Sequence, residues 1–319
     1  MQDAYLLSSL TNFKNAIHKD NKTNDNIMRN FITRATIEIE SYTKRRLRGR
    51  TYGANGLDAE MHNGDGSNIL RTREYPIISV TSINDDTLRD FTATTLKAST
   101  DYIIWRDEGA IQLYPDALLG SVYSRGVGNV QLIYTAGYDE FNIITGVNNY
   151  IDFEETASSQ LSASITGGRY TASGLCTAVK TALDAAGSST YTVVYNYQES
   201  KFQITSNLSG SNTFKILWNT GTNRYRSIAR RMGFLDDSNN PSKATHTAEV
   251  SALGIPDDLE LACIQIAQRH FLESEYGGSR FDMKSKNVSG ERGMTTTYVG
   301  GDMPDGVKII LDKYTRGII

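Results

Sequence analysis

Helical periodicity appears near both ends of this chain, while residues 49–255 between them have a different character. In residues 24–48 the apolar side chains fall at Ile27, Met28, Phe31, Ile32, Ala35, Ile39 and Tyr42. Spacings of three and four put them on one face of an α-helix. From Pro256 the period returns with Leu259, Ala262, Cys263, Ile266, His270 and Phe271, and Leu261 and Ile264 widen the face. A helix of this length does not hold itself together in water, so each stripe must be buried against another part of the fold. Pro256 suits a first helical position, and Asp257 and Asp258 suit the positive end of the helix dipole.

A shorter helix is expected over residues 11–19, with Phe13, Ala16 and Ile17 on one face. Residues 20–24 form a turn that offers Thr23 or Asn24 as N-cap for the helix that follows, and Gly49 is its expected stop. Residues 50–138 are rich in glycine and β-branched residues. A strand is predicted after Pro76 through Ile77, Ile78, Val80 and Ile83. A hairpin is predicted from residues 101–105 and 110–114, with Gly109 supplying a positive φ in the loop. Residues 130–134 read as another strand, ended by Gly137.

Residues 141–252 are rich in Ser, Thr, Asn and Gly. They hold one amphipathic helix, residues 173–186, with Leu175, Ala178, Val179, Ala182, Leu183 and Ala186 on its stripe. Strands are expected at 191–195, 201–205 and 213–218, and a short helix at 225–232. Such a block can fold as a small α+β domain. After Pro256 and its helix come a polar loop with Lys284, Lys286 and Arg292, a β-prone run over 294–299, and a last helix opened by Pro304 with Val307, Ile310 and Leu311.

With 319 residues, a net charge of −3 and 39% hydrophobic content, two packed domains are expected and global disorder is not. The charge balance argues against a dedicated nucleic-acid binder but allows a small basic patch. No apolar run is long enough for a membrane span, and the first residues do not read as a signal peptide. Cys176 and Cys263 sit in apolar helical patterns and are expected to be reduced core residues. No P-loop, nucleophile elbow or paired-histidine helix occurs, so no catalytic, cofactor-binding or metal-ligating residue is expected, and the chain reads as no enzyme. Residues 62–66 read as a turn rather than a calcium loop, and His270 as a core histidine.

The sharpest polar feature is residues 44–50, in which Lys44, Arg45, Arg46, Arg48 and Arg50 make five of seven residues basic. One reading is a solvated helix end that complements the dipole. The other is contact with DNA phosphates or with an acidic partner. In the block at 141–252, Tyr170, Tyr191, Tyr195, Tyr197, Trp218 and Asn196 would suit stacking on sugars. The competing and favoured reading is that the aromatics fill a small core.

The order of several motifs resembles the head–tail connector (adaptor) family of tailed phages. They are Ile39-Glu40-Ser41-Tyr42-Thr43-Lys44-Arg45 at the end of the second helix, then Tyr75-Pro76-Ile77-Ile78-Ser79-Val80, then Tyr134-Thr135-Ala136-Gly137-Tyr138. Pro256-Asp257-Asp258-Leu259 and the ending Asp312-Lys313-Tyr314-Thr315-Arg316 follow. In that family the acidic helix start comes soon after the strand. Here it is delayed, which places an insertion between Tyr138 and Pro256. The inserted block is in turn similar to small α+β modules of other phage virion proteins.

The resemblance implies an α+β fold: a helical adaptor core with β-hairpin elements, discontinuous over residues 1–140 and 253–319, plus an inserted α+β module at 141–252. It also implies a virion protein of the neck, made in the host cytoplasm. Such proteins form a ring, typically of twelve copies, between the portal protein and a stopper or tail-completion protein, with packaged DNA passing through. Contacts to the portal or a neighbour are expected from Lys284, Lys286, Arg292, Thr295, Thr297, Tyr298, Tyr314 and Arg316. The run at 295–299 could add as a strand to a partner's edge or close an internal hairpin. An alternative is a virion binding module whose insert recognises a carbohydrate or host surface.

Overall fold

The computed structural model describes residues 5–18, 24–53, 60–92, 95–155, 159–208, 214–275, 286–287, 295–296 and 303–315. The chain begins with α1 (Leu10–Ile17) and α2 (Asp25–Thr43). Strands β1 (Arg50–Tyr52), β2 (Glu60–Gly64), β3 (Ile69–Arg71), β4 (Ile77–Asp85), β5 (Tyr102–Trp105), β6 (Ala110–Leu113) and β7 (Gly126–Ala136) follow. Next come β8 (Phe141–Ile143), β9 (Tyr150–Glu155), β10 (Leu161–Ser164), β11 (Gly168–Tyr170), α3 (Ala172–Ala186), β12 (Tyr191–Asn196), β13 (Lys201–Ser206) and β14 (Phe214–Ile216). The chain finishes with β15 (Asn240–Lys243), β16 (Thr245–Thr247), α4 (Asp257–Glu275), β17 (Lys286–Asn287), β18 (Thr295–Thr296) and α5 (Asp305–Asp312). Two compact units result, Arg45–Asp139 in one and Met1–Lys44 with Glu140–Ile319 in the other.

The expected helical adaptor core is not what forms. Antiparallel sheet dominates the described residues, and helices are the minority. The reason lies in residues 45–139, which build a β unit with its own core. Strand β7 pairs with β1, β2 and β4, and β6 lies between β3 and β5. Alternation along β7 sends Val130, Leu132, Tyr134 and Ala136 inward against Ile77 and Ile83. Leu70, Ile111, Leu113 and Tyr123 complete the cluster. The hairpin β5–β6 turns at Gly109 (φ 61°), as the sequence required. Gly137 (φ 114°) ends β7 where a Cβ would stand 2.6 Å from the Arg48 carbonyl oxygen.

In the other unit, α2 buries Met28, Phe31, Ile32, Ala35 and Ile39, and α4 buries Leu259, Ala262, Cys263, Ile266 and Ala267. The two helices meet at the Thr36 hydroxyl and the Cys263 sulfur, 3.8 Å apart. The Phe271 ring stands edge-on to Phe13 and Phe31, with centroids 6.4 and 6.1 Å away. Helix α2 stops at Thr43, short of the expected residue 48. Lys44 takes a left-handed conformation (φ 54°, ψ 34°) and its N–H bonds to the Glu40 carbonyl, so the basic run is not part of the helix. Both cysteines are buried and unbridged.

Residues 141–252 pack a core of their own. One sheet runs β10-β9-β14-β15, a second runs β12-β13-β16, and β8 pairs with β11. Helix α3 presents Leu175, Cys176, Val179 and Leu183 to Ile151, Phe153, Phe202, Ile204 and Phe214. Thr171 caps its N-terminus by accepting the Gly174 N–H. The short helix expected at 225–232 is two 3-10 turns, Arg224–Arg226 and Ala229–Met232, separated by extended Ser227. No helix among the described residues is long and apolar enough to cross a membrane.

Leu183 is fully buried while Ile37 on α2 is about half exposed. Leu183→Ala should therefore lower the unfolding free energy of its unit by about 2–5 kcal/mol, and Ile37→Ala by about 0.5 kcal/mol or less. Urea unfolding followed by far-UV circular dichroism measures both.

Candidate functional site

Helices α2, α4 and α5 border an open groove of about 650 Å³, lined by Arg34, Ile37, Glu38, Ser41, Tyr42, His270, Met303 and Lys308. Its side chains come from segments far apart in sequence. Arg34 and Glu38 lie one turn apart on α2, as do Glu38 and Tyr42. His270 follows Arg269 on α4, and Lys308 stands on α5.

Glu38 is the polar centre of this groove. One Arg269 guanidinium nitrogen donates to both of its oxygens, at 2.8 and 3.0 Å. The Nε2 atom of His270 lies 3.1 Å from Oε2. The His270 hydrogen bond, followed by the Arg269 charge and hydrogen bond, holds the Glu38 carboxyl below its usual range against the opposing effect of partial burial. His270 is buried, as expected of a core histidine, and its Nδ1 makes no hydrogen bond among the described residues, with the Glu273 carboxylate 3.8 Å away. The Tyr42 hydroxyl donates to Asp312 at 2.7 Å, and that bond raises the phenol's pKa. The groove thus offers ion pairing, hydrogen bonding and some apolar surface from Ile37 and Met303. Among the described residues, no group of three or more His, Cys, Asp or Glu side chains is placed to hold a metal ion.

The basic run divides by exposure. Lys44 and Arg46 are exposed, Arg50 is half-buried, and Arg45 and Arg48 are buried. The Arg45 guanidinium lies 3.4 Å from the centroid of the Tyr75 ring and donates to the Tyr75 carbonyl. Arg48 pairs with Asp139 at 3.1 Å, and the Arg46 N–H donates to Glu74 at 3.1 Å. These five cations do not share one solvent face.

Of the expected portal-contact residues, Tyr314 is buried and its hydroxyl donates to Asp258, tying the end of α5 to the start of α4. The backbones of Lys286 and Thr295 belong to β17 and β18, which pair with each other antiparallel. Lys284, Arg292, Thr297, Tyr298 and Arg316 lie outside the described residues. In residues 141–252, Tyr191 and Trp218 are core residues, Tyr170 and Tyr195 are half-buried, and Tyr197 and Asn196 are exposed.

Sequence reasoning passed over a second polar cluster, in the β unit. The buried Glu60 carboxylate accepts the Tyr134 hydroxyl at 2.5 Å and the Arg73 N–H at 2.8 Å, and pairs with His62 at 2.7 Å. Burial works against its ionisation, but these hydrogen bonds outweigh it and the carboxyl stays below its usual range. Residues 65–67 form a turn closed by the Ser67 N–H on the Asp65 carboxylate, at 2.8 Å. A hollow of about 360 Å³ lies beside it, lined by His62, Asn63, Asp65 and Arg71 among others. The only trace of the Glu60 cluster in the sequence is the Glu-Met-His order, which places both polar side chains on one face of a strand.

No family model matches the chain, and no curated protein is significantly similar to it.

Because folding depresses the Glu38 pKa, its contribution to stability is present above the unfolded carboxylate range. That contribution is lost as pH falls through the folded value, on the acid side of 4.5. Glu38→Gln should cost about 1.5 kcal/mol at neutral pH. It should also flatten the stability loss between about pH 5 and about pH 3, measured as urea midpoints against pH.

Proposed function

We propose that this chain is a structural, non-enzymatic protein of the tailed-phage neck. It forms a ring, taken as twelve copies, that joins the portal protein to the stopper or tail-completion protein and lets packaged DNA through. In this reading it is made in the host cytoplasm and resides in the virion. Residues 1–140 and 253–319 form the discontinuous adaptor part, and 141–252 the inserted module.

One observation carries the reading. The motif-bearing segments at the two ends of the sequence pack together despite the long interruption. The helix ending in Glu40-Ser41-Tyr42-Thr43 lies against the helix beginning at Pro256-Asp257-Asp258, through Thr36 and Cys263 and through Glu38, Arg269 and His270. Tyr42 reaches Asp312 of the C-terminal motif. Lys313 and Tyr314 of that motif reach Asp258, so parts of the first, the acidic and the last motif are neighbours in space, which supports the reading of an interrupted unit. The groove they border mixes exposed Ile37 with Arg34, Glu38 and Lys308. That composition suits a contact between subunits, whose rims are polar around apolar side chains.

Deleting the gene should yield DNA-filled heads with no attached tails, and supplying the chain in trans should restore joining. Electron microscopy of the lysates reads the outcome directly. Normally tailed particles from the deletion strain would exclude the neck role.

A further inference from the structure

We propose that the inserted block carries a nucleic-acid contact of its own, an Arg224–Tyr225–Arg226 tip that binds the backbone phosphates of duplex DNA. This proposal does not rest on the neck assignment.

Charge distribution is the first reason. Between Glu199 and Asp236 the sequence has no acidic residue and six basic ones: Lys201, Lys215, Arg224, Arg226, Arg230 and Arg231. The net charge of −3 hides this local excess. Four of these cations already have partners. Lys201 donates to the Glu249 carbonyl, Lys215 pairs with Glu154, Arg230 with Asp236 and Arg231 with Asp257. Arg224 and Arg226 are exposed and meet no carboxylate among the described residues.

Geometry is the second. Tyr225 between them is 84% exposed. The Arg224 guanidinium lies over its ring, 4.5 Å from the centroid, and donates to its hydroxyl oxygen at 2.9 Å. The tyrosine oxygen already accepts one hydrogen bond, so its own proton remains to be donated outward. The tip therefore presents donors: two guanidinium groups and a phenol. Phosphodiester oxygens are acceptors, and arginine forks match them in shape as well as charge.

The tip is also held rigid from beneath. Buried Asp152 accepts the Asn223 N–H at 2.5 Å, the Asn223 side-chain amide at 3.0 Å and the Ser162 hydroxyl at 2.6 Å. The Arg226 N–H bonds to the Asn223 carbonyl at 2.8 Å, and the Ile228 N–H to the Tyr150 carbonyl at 3.0 Å. A turn fixed in this way loses little freedom when it binds. Single-strand binders stack successive bases on several aromatic rings. Here there is one ring, with one face covered by Arg224, so duplex backbone is the fitting ligand.

The test titrates the full chain against a labelled duplex of arbitrary sequence, by fluorescence anisotropy, between about 50 and about 200 mM salt. The double variant Arg224→Ala/Arg226→Ala should bind more weakly at low salt. Its slope of log association constant against log salt should be shallower by about 1.8, at about 0.9 for each phosphate that it no longer neutralises. The same weakening should appear when the two changes are made on a Lys44→Ala/Arg46→Ala background, since those changes leave the tip itself intact. Unchanged melting of the variants shows that the fold is intact. Three results would overturn the proposal: no duplex binding by the wild type at about 50 mM salt, an unchanged slope in the double variant, or tighter binding to a single strand of equal length. A tail-joining defect on gene deletion without duplex binding would remove this site and leave the neck role standing, so the two ideas fail separately.

Discussion

The contact on which the rest of its unit depends is the burial of α2 against α4. Thr36 and Cys263 touch although 227 positions separate them. Neither helix is stable alone, because nineteen residues of mixed polarity gain their helical free energy from a buried stripe rather than from propensity. Bringing the stripes together means closing a very long excursion of chain. The entropy of closure rises only slowly with length, but ordering the residues of the excursion as it folds costs far more. The cost is offset because the excursion is itself folded. Residues 45–139 close on the β7 sheet, and residues 141–252 close on Phe153, Phe202, Phe214 and Trp218. The α2–α4 contact is therefore possible because each part of the interruption has a hydrophobic core of its own.

Polar contacts then fix how α4 sits. The acidic first turn of α4 was readable as a complement to the helix dipole, and that explanation is incomplete. Asp258 accepts from Lys313 at 3.2 Å and from the Tyr314 hydroxyl, which fastens α5. Glu260 accepts from Asn12 at 2.8 Å and Ser8 at 3.2 Å, which fastens the N-terminal helix. Asn12 and Ser251 exchange two further hydrogen bonds, both of 3.1 Å, which join that helix to the segment just before α4. Burial alone would let the helices slide along their stripes. These directional bonds select one register.

How much of this was legible follows from where the information resides. Helix α3, the start of α4 and the β5–β6 turn at Gly109 could be read because periodicity and φ preference are local. The end of α2 could not. Lys44 adopts the left-handed cap that glycine usually takes, and Arg45 and Leu47 just after it are buried, which no local pattern announces. Strands β1, β2 and β3 are too short to alternate visibly, so the helical segments dominated the reading of fold class and the sheet-rich result was missed. The groove residues were visible singly, with Arg34, Glu38 and Tyr42 at helical spacing, but nothing local pairs Glu38 with Arg269 and His270.

Charge was the property read least well, and the reason is general. A run such as 44–50 looks like one surface because sequence counts cations without saying where they point. Arg45 and Arg48 are buried beneath Tyr75 and beside Asp139, where the planar guanidinium can stack and fork at once. Lys97 is likewise buried, against Asp85 and the Leu119 carbonyl. Removing such groups would leave carboxylates and carbonyls unpaired, so they serve the fold. The short triplet at Arg224–Arg226 attracts no notice in a count, yet its charges face solvent with no carboxylate among the described residues to neutralise them. In a chain whose net charge is only −3, the field a partner meets depends on this sorting of cations into buried and exposed. Any symmetric assembly multiplies the exposed ones by its number of copies while leaving the buried ones silent.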